Sequence, residues 1–348
     1  MVTVVESFTE FAQDCYLTYP TANGFRAGTL VAAQRHPDSF SLVEISLGSG
    51  AMRTLAGFPR IGADLLYFDV ADSRIVAGTS GCVWMMEEGR AALEIVSGLR
   101  NTPIPSLSRD GHRMVLTLQD DNLFHLEEYQ LETGESRRLT STSWWMNHAH
   151  FSPYDESWIG YCHEGPCEEV MDRVWGFHAR HASQGRCLFD QSSSGRPLCV
   201  GHERWSFHDY SVFAVAYGVS PGEPRGIYEI FTDGGPARLV SQGDRDWHVD
   251  VSRCGRWAVV DTTGYHDTRG QRLDLGEAGG ISDIVLIDCA TGYREHLART
   301  TNSTHPSHPH PVFSPDGRWI YFNECDETGS RNRIRRMINP QWKEEKMP

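Results

Sequence analysis

Short runs of alternating or β-branched residues dominate the chain and predict strands. Such runs occupy residues 41–45, 123–126, 227–231 and 284–287. Their length suits a strand and is too short for a helix. Residues 85–95 have the period of a short helix, but they also fit the strand–turn–strand pattern of their neighbours. The chain is therefore predicted to be all-β.

Two sequence units repeat along the chain. The first is a tight turn, often Asp-Gly or Pro-Asp-Gly, followed by an apolar run that predicts a buried strand. It occurs at residues 107–116, 151–159, 251–259 and 313–321. The second unit, a strand, a Gly turn and a strand, occurs at residues 126–139 and 286–297.

The strand before the Gly turn recurs at nearly regular intervals, near residues 43, 84, 125, 175, 228, 285 and 334. A spacing of about 40–50 residues with several strands in each unit is typical of a β-propeller. Seven copies predict a seven-bladed β-propeller that forms a single domain over residues 1–348, although the unit around 21–34 is degenerate. Two stacked all-β domains are the main alternative.

Composition excludes several classes of protein. The formal net charge is −14, whereas non-specific nucleic-acid binding needs a basic footprint. No stretch approaches the roughly 18 consecutive apolar residues of a membrane span, and residues 1–11 lack the apolar region of a secretory signal. The nine cysteines are odd in number and scattered, without a Cys-x-x-Cys pair. This usage favours reduced thiols in a cytoplasmic protein; the oligomeric state stays open.

Three histidines stand close together near the C-terminus, at His305, His308 and His310. The prolines between them fix an extended backbone, in which His308 and His310 point to the same side. Both imidazoles could therefore bind one metal ion, for which neutral imidazole is the commonest protein ligand. The alternative is a His-rich surface loop that binds metal adventitiously.

Four histidine-bearing segments occupy equivalent places in successive predicted blades, just before or at the repeated turn: 147–150, 202–205, 247–250 and 305–310. Because the inner strands of a propeller converge on a central channel, we expect His148, His202 and His248 to meet the C-terminal histidines at one mouth. Four such segments in register favour a functional site over isolated buried histidines.

A fifth segment reads His163-Glu164-Gly165-Pro166 and continues as Asp172-Arg173-Val174-Trp175. One interpretation of Arg173 is an ion pair with Asp172 or Glu164. The other is a planar fork that binds a substrate carboxylate. The sequence leaves both open.

Together these segments resemble the oligogalacturonate lyase family. The resemblance is carried by 163–166, 172–175, His202-Glu203, Trp247-His248 and 308–317, and it covers roughly residues 140–325. It implies a seven-bladed propeller that cleaves short uronic-acid oligosaccharides by β-elimination and gives 4,5-unsaturated products. The implied partner is an anionic oligosaccharide, with neither nucleic acid nor a membrane involved.

The resemblance also implies roles for individual residues. His248, His308 and His310 correspond to metal ligands, His202 to the general base and Arg173 to the arginine that binds the substrate carboxylate. We also expect His163 and His148 to contact the substrate, while His163 and Tyr161 are open candidates for protonating the leaving oxygen.

One position departs from the family. His305 stands where the family has a glutamine, which predicts a four-histidine metal site. The expected cofactor is a divalent metal, with Mn²⁺ as the first candidate, and Zn²⁺ or Fe²⁺ as alternatives because imidazole is a softer ligand than an amide oxygen.

Three functions other than a lyase are considered: serine hydrolysis, non-catalytic binding and peptidase activity. A Gly-x-Ser-x-Gly sequence does occur at residues 218–222, but it lies in a stretch that is typical of a loose hairpin turn rather than of the strand–turn–helix elbow that serine catalysis needs. A non-catalytic propeller that binds a protein or glycan partner is the main alternative. The propeller portion of a peptidase is another, but nothing in the sequence supplies the hydrolase domain.

Overall fold

The computed structural model describes residues 4–62, 65–166, 168–192, 195, 197–267 and 280–343. These residues form seven antiparallel sheets, six of four strands and one of five. A 3₁₀ helix at Phe11–Gln13 is the one helical element of the described part of the chain. Among the same residues, no helix is long and apolar enough to cross a membrane.

The strands follow the chain blade by blade. Blade 1 contains β2 (Cys15–Tyr16), β3 (Phe25–Arg26), β4 (Thr29–Arg35), β5 (Ser39–Ser46) and β6 (Met52–Pro59). Blade 2 contains β7 (Tyr67–Val70), β8 (Arg74–Thr79), β9 (Cys82–Glu87) and β10 (Leu93–Val96). Blade 3 contains β11 (Ser106–Leu107), β12 (Arg113–Asp120), β13 (Leu123–Gln130) and β14 (Ser136–Thr142).

The later blades repeat the pattern. Blade 4 contains β15 (Met146–Phe151), β16 (Trp158–His163), β17 (Val174–His178) and β18 (Ala182–Cys187). Blade 5 contains β19 (Val200–Trp205), β20 (Ser211–Ala216), β21 (Gly226–Phe231) and β22 (Arg238–Gln242). Blade 6 contains β23 (Asp246–Val251), β24 (Trp257–Thr262), β25 (Ile281–Asp288) and β26 (Arg294–Thr301).

Blade 7 joins the two ends of the chain. It contains β27 (Val312–Phe313), β28 (Trp319–Cys325), β29 (Asn332–Ile338) and the N-terminal strand β1 (Val5–Ser7). Strand β1 pairs with β29 in antiparallel register, with Val5 opposite Met337 and Ser7 opposite Arg335. The first strand of the chain thus completes the last blade and closes the propeller.

The hydrophobic core lies between the blades rather than at one centre. Seven clusters of buried apolar side chains each join two neighbouring blades. Blades 1 and 2 share Phe40 and Phe68, for example, and blades 7 and 1 share Tyr321 and Leu30. Seven interfaces for seven blades make a closed ring, so the first strand of each blade lines the axis, where polar side chains can gather.

The repeated turn has the same hydrogen bond in several blades. The Ser108 hydroxyl accepts the backbone N–H of Arg113 at 2.9 Å, and the Ser314 hydroxyl accepts that of Trp319 at 2.9 Å. Ser252 accepts the N–H of Trp257 in the same way at 3.0 Å. The hydroxyl holds the turn closed before the buried second strand begins.

The predicted fold is confirmed. All four predicted runs lie within observed strands, and the seven positions of the Gly-turn unit each fall in the third strand of a blade, counted from the axis. Residues 85–95 form strand ends and a turn rather than a helix. The degenerate unit around 21–34 forms β3 and β4 of blade 1.

Candidate functional site at one mouth of the channel

β-Bulges place three histidines on the first strands of consecutive blades. The pairing register shifts between Asn147 and His150 in β15, between Gly201 and Arg204 in β19, and between Asp246 and Val249 in β23. His148, His202 and His248 lie in these shifted segments. A bulge turns a side chain out of the regular alternation of a strand, which lets these imidazoles point into the channel.

The segment that carries the other three histidines is anchored from β28. The Asn323 side chain donates to the carbonyl of His308 at 3.0 Å, and the Asn323 backbone N–H donates to that of Pro309 at 2.7 Å. His310 has a positive φ of 45°, a strained conformation for a residue with a side chain. These contacts hold the segment against the channel. The predicted extended backbone is wrong: residues 304–307 form a turn closed by the N–H of Ser307 donating to the carbonyl of Thr304 at 2.8 Å, and His310 has a left-handed conformation.

The structure brings His248, His305, His308 and His310 together. One ligating nitrogen of each lies within 4.8 Å of the others, and the Nε2 atoms of His248 and His310 are 3.1 Å apart. Burial lowers the pKa of all four imidazoles, and neighbouring histidines lower it further; the pKa of His305 falls to about 4 and that of His308 to about 3. The four rings are therefore neutral at pH 7.

Asp261 on β24 orients two of these histidines. Its carboxylate lies 2.9 Å from Nδ1 of His248 and also accepts the backbone N–H groups of His248 and His310, at 2.7 and 3.0 Å. Because Nδ1 carries the proton donated to the carboxylate, the lone pair of His248 is on Nε2, which faces His310. Burial raises the pKa of Asp261 to about 7, although the two backbone N–H groups lower it.

This arrangement fits a divalent transition metal. Two imidazole nitrogens that bind one ion at about 2.1 Å, roughly 90–110° apart, lie about 3.0–3.4 Å from each other, and the observed separation is 3.1 Å. Nδ1 of His308 is buried and has no hydrogen-bond partner among the residues that the structure describes. A carboxylate behind a ligating imidazole, as Asp261 lies behind His248, is a common outer-shell feature of metal sites.

His202 lies beside the four-histidine cluster with its own fixed tautomer. Its ring centroid is 4.0 Å from that of His248, and its Nδ1–H donates to the carbonyl oxygen of Trp247. A carbonyl can only accept, so the lone pair of His202 is on Nε2. Burial, and then the charge of Arg173, hold the pKa of His202 well below its usual value.

A cavity of about 300 Å³ opens in front of these residues, and we call it the imidazole cavity. Its walls include the following side chains: Tyr19, His148, Glu164, Arg173, His202 and His305. Tyr19 comes from the loop after β2 in blade 1. Its ring lies 4.8 Å from that of His148 and 5.6 Å from that of His310, measured between centroids, so it packs across the group of histidines.

Arg173 lines the imidazole cavity and forms ion pairs with two glutamates. Its Nη1 and Nη2 lie 2.9 and 3.1 Å from the two carboxylate oxygens of Glu164, and its Nε donates to Glu203 at 3.0 Å. The predicted ion pair with Glu164 is thus observed, while Asp172 pairs elsewhere. Nη2 also lies 3.9 Å from Sγ of Cys162. Four of the five N–H groups of the guanidinium therefore have a partner, which leaves one N–H of Nη1.

The two other predicted substrate contacts lie in different surroundings. His148 lines the imidazole cavity, with Nε2 3.0 Å from the Glu164 carboxylate. Burial raises the pKa of Glu164, but His148 and Arg173 hold it well below the usual range. His163 lies outside that lining: its Nδ1 is 2.7 Å from Asp172, and its ring packs on Trp144 at 4.4 Å.

Sequence reasoning missed Tyr19, Glu203 and Asp261 as parts of the site. Tyr19 lies in the degenerate first unit, where no repeat signals its place. Glu203 is adjacent to His202 in the segment His202-Glu203, so its place in the site could have been predicted from the sequence. Asp261 is an ordinary residue of a buried strand, and only the contact between blades 6 and 7 gives it two histidine partners.

Comparison with known proteins agrees with this architecture. No protein-family model matches the chain. It is 23% identical over 205 residues to an oligogalacturonide lyase of Pectobacterium atrosepticum, covering 55% of this chain and 50% of the relative. It is 24% identical over 204 residues to an oligogalacturonate lyase of Dickeya dadantii, with the same coverage. The chain thus spans about half the length of the curated relatives it matches.

A solved structure extends the likeness over nearly the whole chain. An oligogalacturonate lyase in complex with manganese is 17% identical, with a TM-score of 0.78 over 97% of this chain and 93% of that one. The predicted resemblance to the oligogalacturonate lyase family is confirmed, and the fold is that of the family's propellers.

Proposed function

We propose that this chain, as a single propeller domain over residues 1–348, is a metal-dependent lyase that cleaves short oligogalacturonides by β-elimination. The resemblance to oligogalacturonate lyases supports the reaction class. The observation that carries the proposal is the gathering of four neutral imidazoles within 4.8 Å, beside a cavity that His202 and Arg173 share.

His248, His305, His308 and His310 would hold the divalent ion. When bound, the ion supplies positive charge to the uronate carboxylate, on which negative charge develops during elimination. Mn²⁺ is the first candidate, since a fold relative was solved with manganese. Zn²⁺ and Fe²⁺ are alternatives because His305 replaces the family glutamine with a softer ligand.

His202 is the proposed general base. The proton on C5 of the uronic acid is alpha to a carboxylate and weakly acidic, so a neutral base held close to it is needed. Nε2 of His202 carries the lone pair because Nδ1 is committed to the carbonyl of Trp247. The lowered pKa of His202 keeps this nitrogen unprotonated at pH 7.

Arg173 and His148 are the proposed contacts to the substrate. The second N–H of Nη1 of Arg173, together with the Nη2–H that has only the weak acceptor Sγ of Cys162, would bind the uronate carboxylate. Glu164 and Glu203 fix the plane of the guanidinium, so the fork is oriented before substrate arrives. His148 lies on the same wall and is itself fixed by Glu164.

Tyr19 is the proposed proton donor for the leaving oxygen: of the two tyrosines that line the imidazole cavity, Tyr19 and Tyr67, it is the one with a ring contact to His202, at 6.5 Å between centroids. It lines the imidazole cavity, whereas neither Tyr161 nor His163 is part of that lining. The Tyr161 hydroxyl is buried without a partner, among Trp144 and Trp175. A neutral phenol across the cavity from His202 would protonate the departing alkoxide while the base holds the C5 proton.

The direct test measures the unsaturated product. Purified protein incubated with short oligogalacturonides should generate the ultraviolet absorbance of a 4,5-unsaturated uronide, chelation should abolish it, and added Mn²⁺ should restore it. A protein that binds the oligosaccharide but forms no unsaturated product in any of these conditions would be a glycan-binding propeller instead. Unchanged turnover after verified metal removal would reject the metal role.

A further inference from the structure

A second cavity lies farther along the first strands, and arginines line it instead of histidines. Along β15, His148 faces the imidazole cavity, while Phe151 at the other end of the strand lines a larger cavity of about 900 Å³. Along β19, His202 lines the imidazole cavity and Arg204 lines the larger cavity. Successive strand residues rise about 3.3 Å, so these residues of the two cavities lie roughly 7–10 Å apart along the first strands.

This second cavity, which we call the arginine cavity, is rich in guanidinium groups. Its walls include the following side chains: Arg26, Arg109, Arg204, Phe207, Arg253 and Arg318. The chain as a whole carries a net charge of −14, so five arginines around one cavity run against the average. Cations gather in this way where an anion is bound.

Phe207 holds two of these cations together. The guanidinium carbon of Arg204 lies 4.7 Å from the centre of its ring, and that of Arg253 lies 5.6 Å from it. Arg204 has a carboxylate partner, Asp250, at 2.7 Å. Arg204 and Arg109 act on Arg253 as like charges, while Asp250 and Asp72 act on it as opposite charges. The ring of Phe207 adds a cation–π contact.

Three of the five arginines lack a carboxylate partner. Arg26 pairs with Glu44 and Arg204 with Asp250. Although Nη2 of Arg109 donates to the carbonyl of Pro153, Arg109, Arg253 and Arg318 form no ion pair within the part of the chain that the structure describes. Arg253 forms no hydrogen bond there either, and its contact is the ring of Phe207. Its N–H donors are therefore open to a ligand.

The carboxylates on the same walls are mostly committed to other groups. Asp69 is buried and accepts the backbone N–H groups of Asn23 and Leu107, each at 2.8 Å. Glu156 pairs with Arg113 at 2.9 Å. Asp316 accepts the Ser314 hydroxyl of its own turn at 2.5 Å. Asp72, at the exposed edge, is the remaining carboxylate among the lining residues.

We propose that the arginine cavity binds a small oxyanion, through a carboxylate or phosphate group that Arg253 and Arg109 hold beside Phe207. Guanidinium matches the planar or tetrahedral oxygens of such groups with paired N–H donors. The ring of Phe207 offers an apolar surface to the rest of the molecule. The site is separate from the imidazole cavity and does not depend on the proposed lyase activity.

Calorimetric titration with two probes, galacturonate and inorganic phosphate, tests the proposal. At least one should bind saturably at concentrations up to about 10 mM, and the one that binds identifies the group recognised. Arg253→Ala should weaken that binding by about tenfold or more. Arg256→Ala is the matched control, since Arg256 belongs to the same turn, is 66% exposed and pairs with Asp288; it should bind like wild type.

A second variant separates this site from the imidazole cavity. His310→Ala should leave the binding that Arg253→Ala weakens. The proposal is overturned if neither probe binds the wild-type protein, if Arg253→Ala binds as tightly as wild type, or if His310→Ala removes the binding instead. Arg253→Gln, which keeps the stem and removes the charge, should repeat the loss, and unchanged thermal unfolding would confirm that both variants are folded.

Discussion

Two clusters in this protein contain the same kinds of metal-binding residues in different states. At the channel mouth, four imidazoles are neutral, two of them, His248 and His310, are buried, and Asp261 lies behind His248. On blade 6, His266, Asp283 and His296 also have ligating atoms within 4.8 Å of one another. We call this second group the outer cluster.

In the outer cluster, the carboxylate of Asp283 already has three side-chain partners. Asp283 lies 2.7 Å from Nδ1 of His266 and 3.3 Å from Nε2 of His296, and it accepts a bond from Nε of Arg299 at 2.8 Å. The two rings stack at 4.7 Å and are partly exposed. A metal ion there would have to displace the Arg299 charge. Residue types and proximity are thus not sufficient for a metal site, because the donor atoms must also be free.

The largest expected difference between the clusters is catalytic. His202→Ala should lower turnover of oligogalacturonides by about 10²- to 10⁴-fold, since it removes the proposed general base. His266→Ala, a histidine change in the outer cluster, is the control and should keep wild-type turnover. Rates measured from product absorbance decide the matter, and a His202→Ala rate close to wild type would remove His202 from the mechanism.

The outer cluster should instead matter for stability. Burial raises the pKa of Asp283, but Arg299 and His266 lower it by more, so it lies well below the usual value. A carboxylate with a depressed folded-state pKa stabilises the fold above its unfolded pKa of about 3.9 and loses that contribution as pH falls through the folded pKa. Asp283→Asn should therefore lower the free energy of unfolding at pH 7 by about 2 kcal/mol.

Denaturant unfolding of Asp283→Asn and wild type at several pH values checks this prediction. The difference between them should be constant near neutrality and should shrink below about pH 4. A difference that does not change with pH would mean that packing, rather than charge, accounts for the effect. Metal content of the variant should match wild type.

The smallest effect concerns the fourth histidine. His305→Gln restores the residue of the family and replaces an imidazole with an amide oxygen, a harder ligand. We expect the ratio of Mn²⁺ to Zn²⁺ affinity to rise by about tenfold or less, with the fold and the proposed base unchanged. Competitive metal titration of both proteins gives this ratio, and an unchanged or lowered ratio would show that His305 does not set the preference.

Much of the fold could be predicted because each blade repeats a local pattern. Turns such as 314–317 and the strand runs that follow them are encoded within about ten residues, so the seven blades could be counted. The histidine segments were located by their place in that repeat. Their assembly at one mouth follows from the ring closure, which the pairing of β1 with β29 completes.

The missing parts of the site depend on contacts between residues that are far apart in the sequence. Asp261 binds His310 across 49 positions of sequence, and Tyr19 of blade 1 packs on His148 of blade 4. Such contacts follow from the three-dimensional ring and leave no local motif. The pairing of Arg173 with both Glu164 and Glu203 likewise joins blades 4 and 5, and the sequence could only offer Glu164 as one of two partners.

The central claim is that the imidazoles of His248, His305, His308 and His310 bind one divalent ion. Calorimetric titration of Mn²⁺ and of Zn²⁺ into metal-free protein, with elemental analysis of the product, tests it most directly. We predict one tightly bound ion per chain, lost in His248→Ala and retained in His266→Ala. A wild-type protein that binds no ion, or a His248→Ala variant that binds it as tightly as wild type, would contradict the account.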